Sequence, residues 1–205
     1  RFDGNRVVGY TGDGIHIAGS RNRVTRNVFR GSSGASRGPV LSNSDKNIIA
    51  SNWITRHHRG VAIANTSSTN TVFGNEIYSN VTGVVLANNA GNNTRIIRNR
   101  IYASTTNGIL IPGGLYARFQ NNVIYGNTPY GVRIDGASLS NRFINNILLS
   151  NGGVGLTNAG TGTWWEYNDS FGHTNEYRNT VALYNSNANV SVNPVFSNAS
   201  AFNFH

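Results

Sequence analysis

The sequence lacks sulfur and is poor in acid and in lysine. It contains no cysteine and no methionine, which excludes disulfides, thiolate metal sites and a thiol nucleophile. All of the 17 basic residues except Lys46 are arginine, against eight acidic residues, and the formal net charge is +9. Because arginine binds carboxylate, sulfate or phosphate with a planar, two-pronged set of donors, polyanions are plausible partners.

Long hydrophobic runs are also missing. A membrane-spanning helix needs about 20 consecutive apolar residues, so we expect no membrane span. With 205 residues and 12% charged residues, the chain suits one domain over 1–205. It begins at Arg1, and we expect it to be an excised or processed part of a longer chain. A repetitive chain rich in Asn, Gly, Ser and Thr, without sulfur, favours a secreted or cell-surface location.

What the sequence does contain is a repeat. The phrase N-x-V-x-x-N-x-I returns with its second asparagine at Asn27, Asn52, Asn75, Asn99, Asn122, Asn146 and Asn168, at intervals of 22 to 25 residues. A Gly-Val-x-Ile segment follows most copies, for example Gly60–Ile63 and Gly131–Ile134. A fixed period of this length without helical spacing indicates stacked coils.

The alternation of apolar residues predicts which side chains point into the stack. Val24 and Phe29 are inward in one copy, and their equivalents are Ile49 and Ile54, Val72 and Ile77, Ile96 and Ile101, Phe119 and Ile124, and Phe143 and Leu148. We expect the asparagine between them to adopt the left-handed backbone of a tight bend and to bond to its equivalents along the axis. The prediction is an all-β, right-handed, single-stranded parallel β-helix of about eight to nine coils, with three short strands per coil.

The repeat resembles that of the pectate-lyase-like superfamily of right-handed β-helices, over nearly the whole chain. This resemblance implies the fold and an action on polysaccharides as a lyase, hydrolase or epimerase, or a role as a tailspike. Thr11-Gly12-Asp13-Gly14 is faintly similar to the polygalacturonase Gly-Asp-Asp segment, but Gly14 replaces the second Asp. Arg133-Ile134-Asp135 is similar to that family's Arg-Ile-Lys, with Asp135 in place of lysine.

Stacking turns equivalent positions into rows about 4.8 Å apart. The row before the first inward residue is predicted to contain Arg6, Arg23, Ile48, Thr71, Arg95, Arg118, Arg142 and Trp164. With so few acidic residues available, this arginine ladder (Arg6, Arg23, Arg95, Arg118, Arg142) is a candidate track for a polyanionic chain. Solvated arginines packed along their apolar stems are the structural alternative.

Two further rows face outward. Tyr78, Tyr102 and Tyr125 are predicted to stand in register, as a platform for sugar rings or as a stabilising stack. The Gly-Val-x-Ile row is predicted as His16, Val40, Ala62, Val85, Leu110, Arg133, Gly155 and Ala182. Its apolar centre suits self-association or a covering segment.

Catalytic candidates are weak. A uronate lyase needs neutralisation of the substrate carboxylate, a base and usually an acid. Histidine side chains can act as base or acid, which makes His57 and His58, within Arg56-His57-His58-Arg59, candidates, and an exposed basic turn is the alternative. Arg133 and Asp135 are a second weak pair, with a surface ion pair as the alternative. The acidic residues are scattered, so no metal site is evident, and we expect no cofactor.

Three hypotheses follow. The first is an extracellular module that recognises acidic polysaccharide through the arginine ladder. The second is a lyase, epimerase or glycoside hydrolase acting on such polymers. The third is a structural or adhesive surface-fibre or tailspike-like segment. Tyrosine and arginine on neighbouring faces fit nucleic acid only weakly, and we expect nucleic acid not to be the partner.

Overall fold

The computed structural model describes residues 1–32, 34–87, 89–178 and 188–195, in which 24 short strands form three sheets of eight. The first sheet contains β1 (Phe2–Asp3), β4 (Arg23–Thr25), β7 (Ile48–Ala50), β10 (Thr71–Phe73), β13 (Arg95–Ile97), β16 (Arg118–Gln120), β19 (Arg142–Ile144) and β22 (Trp164–Glu166). The second contains β2 (Arg6–Tyr10), β5 (Val28–Gly31), β8 (Trp53–Thr55), β11 (Glu76–Tyr78), β14 (Arg100–Tyr102), β17 (Val123–Tyr125), β20 (Ile147–Leu149) and β23 (Asp169–Phe171). The third contains β3 (Asp13–Ile17), β6 (Arg37–Ser42), β9 (Arg59–Ala64), β12 (Thr82–Leu86), β15 (Asn107–Ile111), β18 (Tyr130–Ile134), β21 (Val154–Asn158) and β24 (Asn175–Arg178).

Each strand pairs in parallel with the strand three elements later, so the chain visits the three sheets in turn and then starts the next coil. This topology is the predicted right-handed parallel β-helix, with three strands per coil. It makes about seven complete turns, slightly fewer than the eight to nine expected. That expectation counted coils over all 205 residues, whereas the described strands end at Arg178.

The core is a column of apolar side chains along the axis. All of the predicted inward residues are buried, from Val24 and Phe29 to Phe143 and Leu148. Phe119, Phe143 and Trp165 stack face to face on successive coils, with ring centroids 4.3 and 4.1 Å apart. Such stacking follows from the strand spacing, which brings equivalent rings to van der Waals distance.

A ladder of buried asparagines runs along the corner between the first and second sheets. Each Asn side chain accepts, at Oδ1, the backbone N–H and the amide N–H of the previous rung, and its Nδ2 also donates to a backbone carbonyl one coil earlier. Asn52, for example, donates to Asn75 Oδ1 at 3.0 Å and to Val24 O at 2.9 Å. The rungs are Asn5, Asn27, Asn52, Asn75, Asn99, Asn122, Asn146, Asn168 and Asn189. One amide therefore ties three consecutive coils together.

The prediction that these asparagines adopt the left-handed conformation was wrong. The left-handed residue is the one before each rung: Gly4, Arg26, Ser51, Gly74, Arg98, Asn121, Asn145, Tyr167 and Ala188, with φ between 52° and 69°. The left-handed residue makes the bend, and its side chain lies at the outer surface. The bend turns the following Asn inward, where its amide satisfies backbone groups that a sharp corner leaves unpaired.

The other two corners use the same device with more varied residues. Between the second and third sheets the corner positions are the buried His57, Asn80, Ser104, Asn127 and Asn151, and the partly buried His173. Before the first sheet they are the partly buried Asn22 and the buried Asn47, Asn70, Thr94 and Asn141, with apolar Ala117 at the same place in one coil. Each of these residues also follows a left-handed residue.

His57 is a rung of this second corner and is 1% exposed. Its Nδ1 lies 3.2 Å from Asn80 Oδ1, and its Nε2 lies 2.5 Å from the hydroxyl of Tyr10. Burial lowers the pKa of His57 from 6.5 to about 4, opposed by its hydrogen bond with Asn80. The ring is therefore neutral at physiological pH, and the structure gives His57 a place in the corner ladder.

We expect Asn99→Ala to destabilise the protein by roughly 3 kcal/mol or more, because buried polar groups that lose their partners cost about 1–3 kcal/mol each. The substitution leaves the Asn75 N–H and amide without an acceptor and the Val72 carbonyl without a donor. Urea unfolding measures the change. Ser51→Ala is the control, since Ser51 is exposed and precedes a rung. Equal losses in the two variants contradict the importance of the ladder.

We also expect a pH dependence that comes from His57. Its pKa in the folded state lies below its value in the unfolded chain, so the unfolded state binds the proton first as the pH falls. Stability is therefore full above about pH 6.5 and decreases down to about pH 4, and the difference between these pKa values corresponds to roughly 3 kcal/mol.

Urea unfolding between pH 7 and pH 4 tests this expectation. His57→Asn places the usual rung residue at the corner and should largely remove the dependence in this window. His58→Asn changes the exposed neighbouring histidine and should leave the dependence intact. A His57→Asn variant that is as sensitive to pH as the unmodified protein contradicts the assignment.

Candidate functional site

The predicted arginine row lies on the first sheet. The register was predicted correctly for every member of this row except one. Arg95 pairs with Arg118, Arg118 with Arg142, and Arg142 with Trp164 on four neighbouring strands. Arg23 lies in the same row, separated from them by Ile48 and Thr71. The arginine ladder therefore has a continuous segment of three, with Arg23 at a distance along the same face.

Arg6 does not belong to this row. It begins β2 in the second sheet and pairs with Val28, so its placement was wrong. The reason is that the first copy of the repeat begins with the short strand Phe2–Asp3, which occupies the first-sheet position before the Asn5 corner. Arg6 follows that corner, whereas Arg23 precedes the corner at Asn27.

Neutralisation of the row is partial. Arg142 Nη2 lies 2.9 Å from Glu166 Oε2, and this hydrogen bond is the main reason that the pKa of Glu166 is lowered. Within the described part of the chain, Arg23, Arg95 and Arg118 form no ion pair, and the charge of Arg118 makes only a smaller contribution than Arg142 to lowering the pKa of Glu166. Arg118 Nε is buried without a hydrogen-bond partner, which places the stem of this side chain against the sheet. The segment therefore keeps excess positive charge.

Aromatic side chains lie at the end of the arginine row and in a separate row on the second sheet. Trp164 continues the arginine row and is 51% exposed. Tyr78, Tyr102 and Tyr125 are in register on the second sheet, as predicted, and all three are half-buried. The rings of Tyr78 and Tyr102 stack with centroids 5.2 Å apart. Burial, followed by a hydrogen bond with Glu76, raises the pKa of Tyr102. The stack is internal packing, and sugar stacking on it stays a prediction.

The apolar row of the third sheet is in register from His16 through Val40, Ala62, Val85 and Leu110 to Arg133. Thr157, and not Gly155, continues it, because the strand after Arg133 is offset by two residues from the spacing assumed, and Ala182 lies outside the described residues. Val40, Ala62 and Val85 are only 2–3% exposed. These three side chains therefore add little exposed apolar surface, and self-association through this row stays a prediction.

The weak catalytic candidates do not form one site. Arg133 Nε lies 2.9 Å from Asp135 Oδ1 in an exposed pair at the end of β18 and beyond it. His57 is buried in the corner ladder, whereas His58 is exposed. The structure thus separates Arg133 and Asp135 from the two histidines by several coils.

His58 instead lies in a group of ionisable residues around the first strands of the third sheet. Asp13 accepts hydrogen bonds from Arg37 Nε at 2.6 Å and Nη2 at 3.1 Å, and lies 2.8 Å from His16 Nδ1. Arg37 pairs in register with Arg59. A depression of about 480 Å³ is lined by Gly12, Asp13, Gly34, Ala35, Arg37, His58 and Arg59.

We name Asp13, His16, Arg37, His58 and Arg59 the Asp13 cluster. Sequence reasoning missed it as a unit. A signal existed, since Asp13, Arg37 and Arg59 recur at the repeat interval before successive Gly-x-x-Ile-type strands. The Asp13–His16 pair fixes the imidazole with Nδ1 towards a carboxylate, which leaves Nε2 as a possible base.

Metal ligands are scattered. Among the residues that the structure describes, no three His, Asp or Glu side chains come together as a metal site. No described helix is long and apolar enough to cross a membrane.

Solved structures with the same fold include alginate-modifying enzymes. A point mutant of the periplasmic alginate epimerase AlgG has a TM-score of 0.71 and 18% identity, over 83% of this chain and 44% of that one. The Azotobacter vinelandii mannuronan C-5 epimerase AlgE4 A-module has a TM-score of 0.61 and 14% identity, over 91% of this chain and 56% of that one. The chain thus spans about half the length of these proteins, and at this identity the likeness shows the fold. No curated protein matches the chain.

The sequence pattern of the NosD family, described as periplasmic copper-binding protein (NosD), matches residues 2–185. Among the residues that the structure describes, no three His, Asp or Glu side chains come together to hold the copper of that description. The sequence has no thiolate or thioether ligand, and the imidazole of His57 contacts Tyr10 and Asn80. The match nevertheless covers most of the repeat and the Asn corners, and the chain therefore belongs to the NosD family.

Proposed function

We propose that this protein binds acidic polysaccharide along the arginine row of the first sheet. The observation that carries the proposal is the register of Arg95, Arg118 and Arg142, of which only Arg142 forms an ion pair within the described part of the chain. Guanidinium groups one strand apart present a line of paired donors to the carboxylates or sulfates of a chain lying along the axis.

Trp164 extends this surface. Its exposed ring follows Arg142 in the same row, so a chain that crosses the arginines reaches an aromatic face next. A sugar ring stacks on an aromatic face through its C–H groups, and the Trp164 ring is half exposed for such a contact. The combination of charge and aromatic surface favours an acidic glycan over a polyphosphate.

The proposal places the protein outside the cytoplasm. The family description and the AlgG structures name periplasmic proteins, and the AlgG and AlgE4 structures are of enzymes that modify alginate or mannuronan. These names support an acidic polysaccharide as partner, and the arginine row supplies the physical means of recognition in this chain.

Replacing Arg95, Arg118 and Arg142 together by glutamine should weaken binding to a polymannuronate matrix. The unmodified protein should be retained at low ionic strength and released by salt, because exposed charges are screened over about 10 Å at 0.1 M. The triple variant should elute at a clearly lower salt concentration, since each lost arginine removes a charge-assisted hydrogen bond. The measurement is the elution position in a salt gradient.

A matched control removes the same total charge elsewhere. Arg1, Arg21 and Arg133 are scattered over the surface, and replacing all three by glutamine changes the net charge equally. If both variants elute at the same salt concentration, non-specific attraction explains retention and the row is not the binding site.

A second candidate function, the modification of uronate units, rests on the Asp13 cluster. The Asp13–His16 pair supplies a base held in orientation, and Arg37 and Arg59 supply positive charge on neighbouring strands. His16 Nε2 would take the proton from the ring carbon that bears the carboxylate. The electron pair left behind moves into the carboxylate, and the excess charge is stabilised by the arginines.

Two outcomes are open to that intermediate. A proton returned from the opposite face gives the epimer, with no net change in atoms. Departure of the neighbouring glycosidic oxygen instead gives an unsaturated chain end and a shortened polymer. In the second outcome the leaving oxygen takes up a proton, for which exposed His58, which lines the depression, is the candidate donor in the cluster.

Incubation of the protein with polymannuronate in D₂O tests this candidate. Deuterium at the carbon that bears the carboxylate, seen by NMR, or ultraviolet absorbance from unsaturated ends, is expected from the unmodified protein. His16→Gln should reduce the rate by about 100-fold or more, as expected for loss of a general base. Arg133→Gln, far from the cluster, is the control. No exchange and no unsaturation with the unmodified protein contradict this second function while leaving the binding proposal standing.

A further inference from the structure

A further group of arginines lies on the second sheet and at its corner, and shares no residue with the arginine row or the Asp13 cluster. Arg6, Arg30 and Arg56 line one depression of about 350 Å³ together with Val28, Thr55, Tyr78 and Ser79. Arg6 begins β2, Arg30 lies in β5, and Arg56 is the left-handed corner residue after β8. Three consecutive coils thus contribute one arginine each to the same hollow.

This hollow has no acidic lining. All three arginines are exposed, and none has an ion pair within the described part of the chain. Two acidic residues on neighbouring strands pair with other arginines: Asp3 binds Arg1 and Arg26, and Glu76 binds Arg100. Three like charges in one hollow without a counter-charge favour the binding of an anion.

The shape of the hollow suits a ring. Arg30, Thr55 and Tyr78 occupy one row on three successive strands, so the small, buried Thr55 leaves a notch between the other two. Arg30 and Tyr78 are two strand spacings apart, about 9.6 Å. A ring in van der Waals contact on both faces needs about 7 Å, so the notch can take one ring between the guanidinium and the tyrosine.

Tyr78 is fixed for this role from its other side. Its ring stacks on Tyr102 with an interplanar angle of 9°, so one face is occupied and the other faces the strand that carries Thr55. Packing of this kind holds the ring in one orientation and lowers the entropy lost on binding.

We propose that this notch binds one sugar unit bearing a carboxylate or a sulfate, with the ring against Tyr78 and the anion held by Arg30, Arg56 and Arg6. The inference rests on the proposed polysaccharide binding for its choice of ligand, but on different residues and a different sheet. It gives the protein a second contact point for an acidic glycan, around the corner from the arginine row.

The test is an NMR titration of the whole chain followed by the ring protons of Tyr78. The probes are methyl glucuronide, glucose 6-sulfate and the neutral methyl glucoside. We expect saturable shifts of the Tyr78 signals with at least one anionic probe, and the tighter of the two identifies the anion. Arg30→Gln and Arg56→Gln should each weaken that binding by about tenfold, the usual effect of losing a charge-assisted hydrogen bond.

Arg21→Gln is the matched control. Arg21 is an exposed, left-handed corner residue like Arg56, with the same φ of 61°, and it lies outside the hollow. It should change affinity by less than about twofold, the scale of a remote surface charge. Equal weakening by Arg21→Gln and Arg56→Gln, equal binding of methyl glucoside, or no movement of the Tyr78 signals with any probe would each overturn the site.

The variant that lacks Arg95, Arg118 and Arg142 separates the two proposals. If it loses retention on polymannuronate but keeps the Tyr78 shifts, both proposals stand. If the unmodified protein passes the matrix unretained but shows the Tyr78 shifts, polymer binding along the arginine row is wrong and the notch stands alone.

Discussion

The buried amide ladder is the interaction on which the rest of this structure depends. Each corner asparagine uses its donors and its acceptor on three consecutive coils, in a position from which water is excluded. An amide in that setting must be fully paired, since an unpaired buried polar group is costly. A coil that slipped by one residue would leave several such groups without partners at once. The ladder therefore fixes register along the rod much more strictly than apolar packing alone.

Strict register is what turns a repetitive sequence into a patterned surface. Residues 23 or 24 positions apart become neighbours, so Arg95, Arg118 and Arg142 form a line and Tyr78 stacks on Tyr102. The three sheets then present different chemistry to solvent. The first carries the arginine row, the second the arginine hollow and tyrosine stack, and the third the Asp13 cluster. An acidic glycan that wraps around such a rod would meet positive charge on each side.

Much of the fold could be predicted from the sequence because the same pattern of apolar residues and asparagine recurs seven times. The inward residues, the three strands per coil and the registers of the arginine and tyrosine rows all follow from alternation and period. Arg6 was assigned to the wrong strand. The first copy of the repeat is incomplete, so the sequence did not show that Arg6 follows its corner and does not precede it. The prediction also assigned the left-handed backbone conformation to the corner asparagine, whereas the residue before it adopts that conformation. The repeat marks Asn27 and its equivalents as special, but the residue before each of them varies in type and gives no signal.

The candidate sites were harder to predict for a physical reason. The Asp13 cluster and the hollow around Arg30 join residues from different positions within the coil, and the sequence period relates only equal positions. The burial of Val40, Ala62 and Val85 could not be foreseen either, because a strand's outward face looks the same in sequence whether or not something lies over it. The sequence predicted which residues align in rows, but it did not predict how buried those rows are or which residues of different rows come together.

The left-handed corners separate architecture from surface chemistry. At the corner between the first and second sheets, the residue that makes each bend points outward, and the chain fills these places with arginine, serine, glycine, asparagine, alanine or tyrosine, while the buried rung beside it is asparagine in every described coil. A side chain there can change without disturbing a hydrogen bond of the interior. Every coil thus offers edges on which new specificity can evolve at little cost to folding, so proteins built on this scaffold can diverge in what they bind while their frame is conserved.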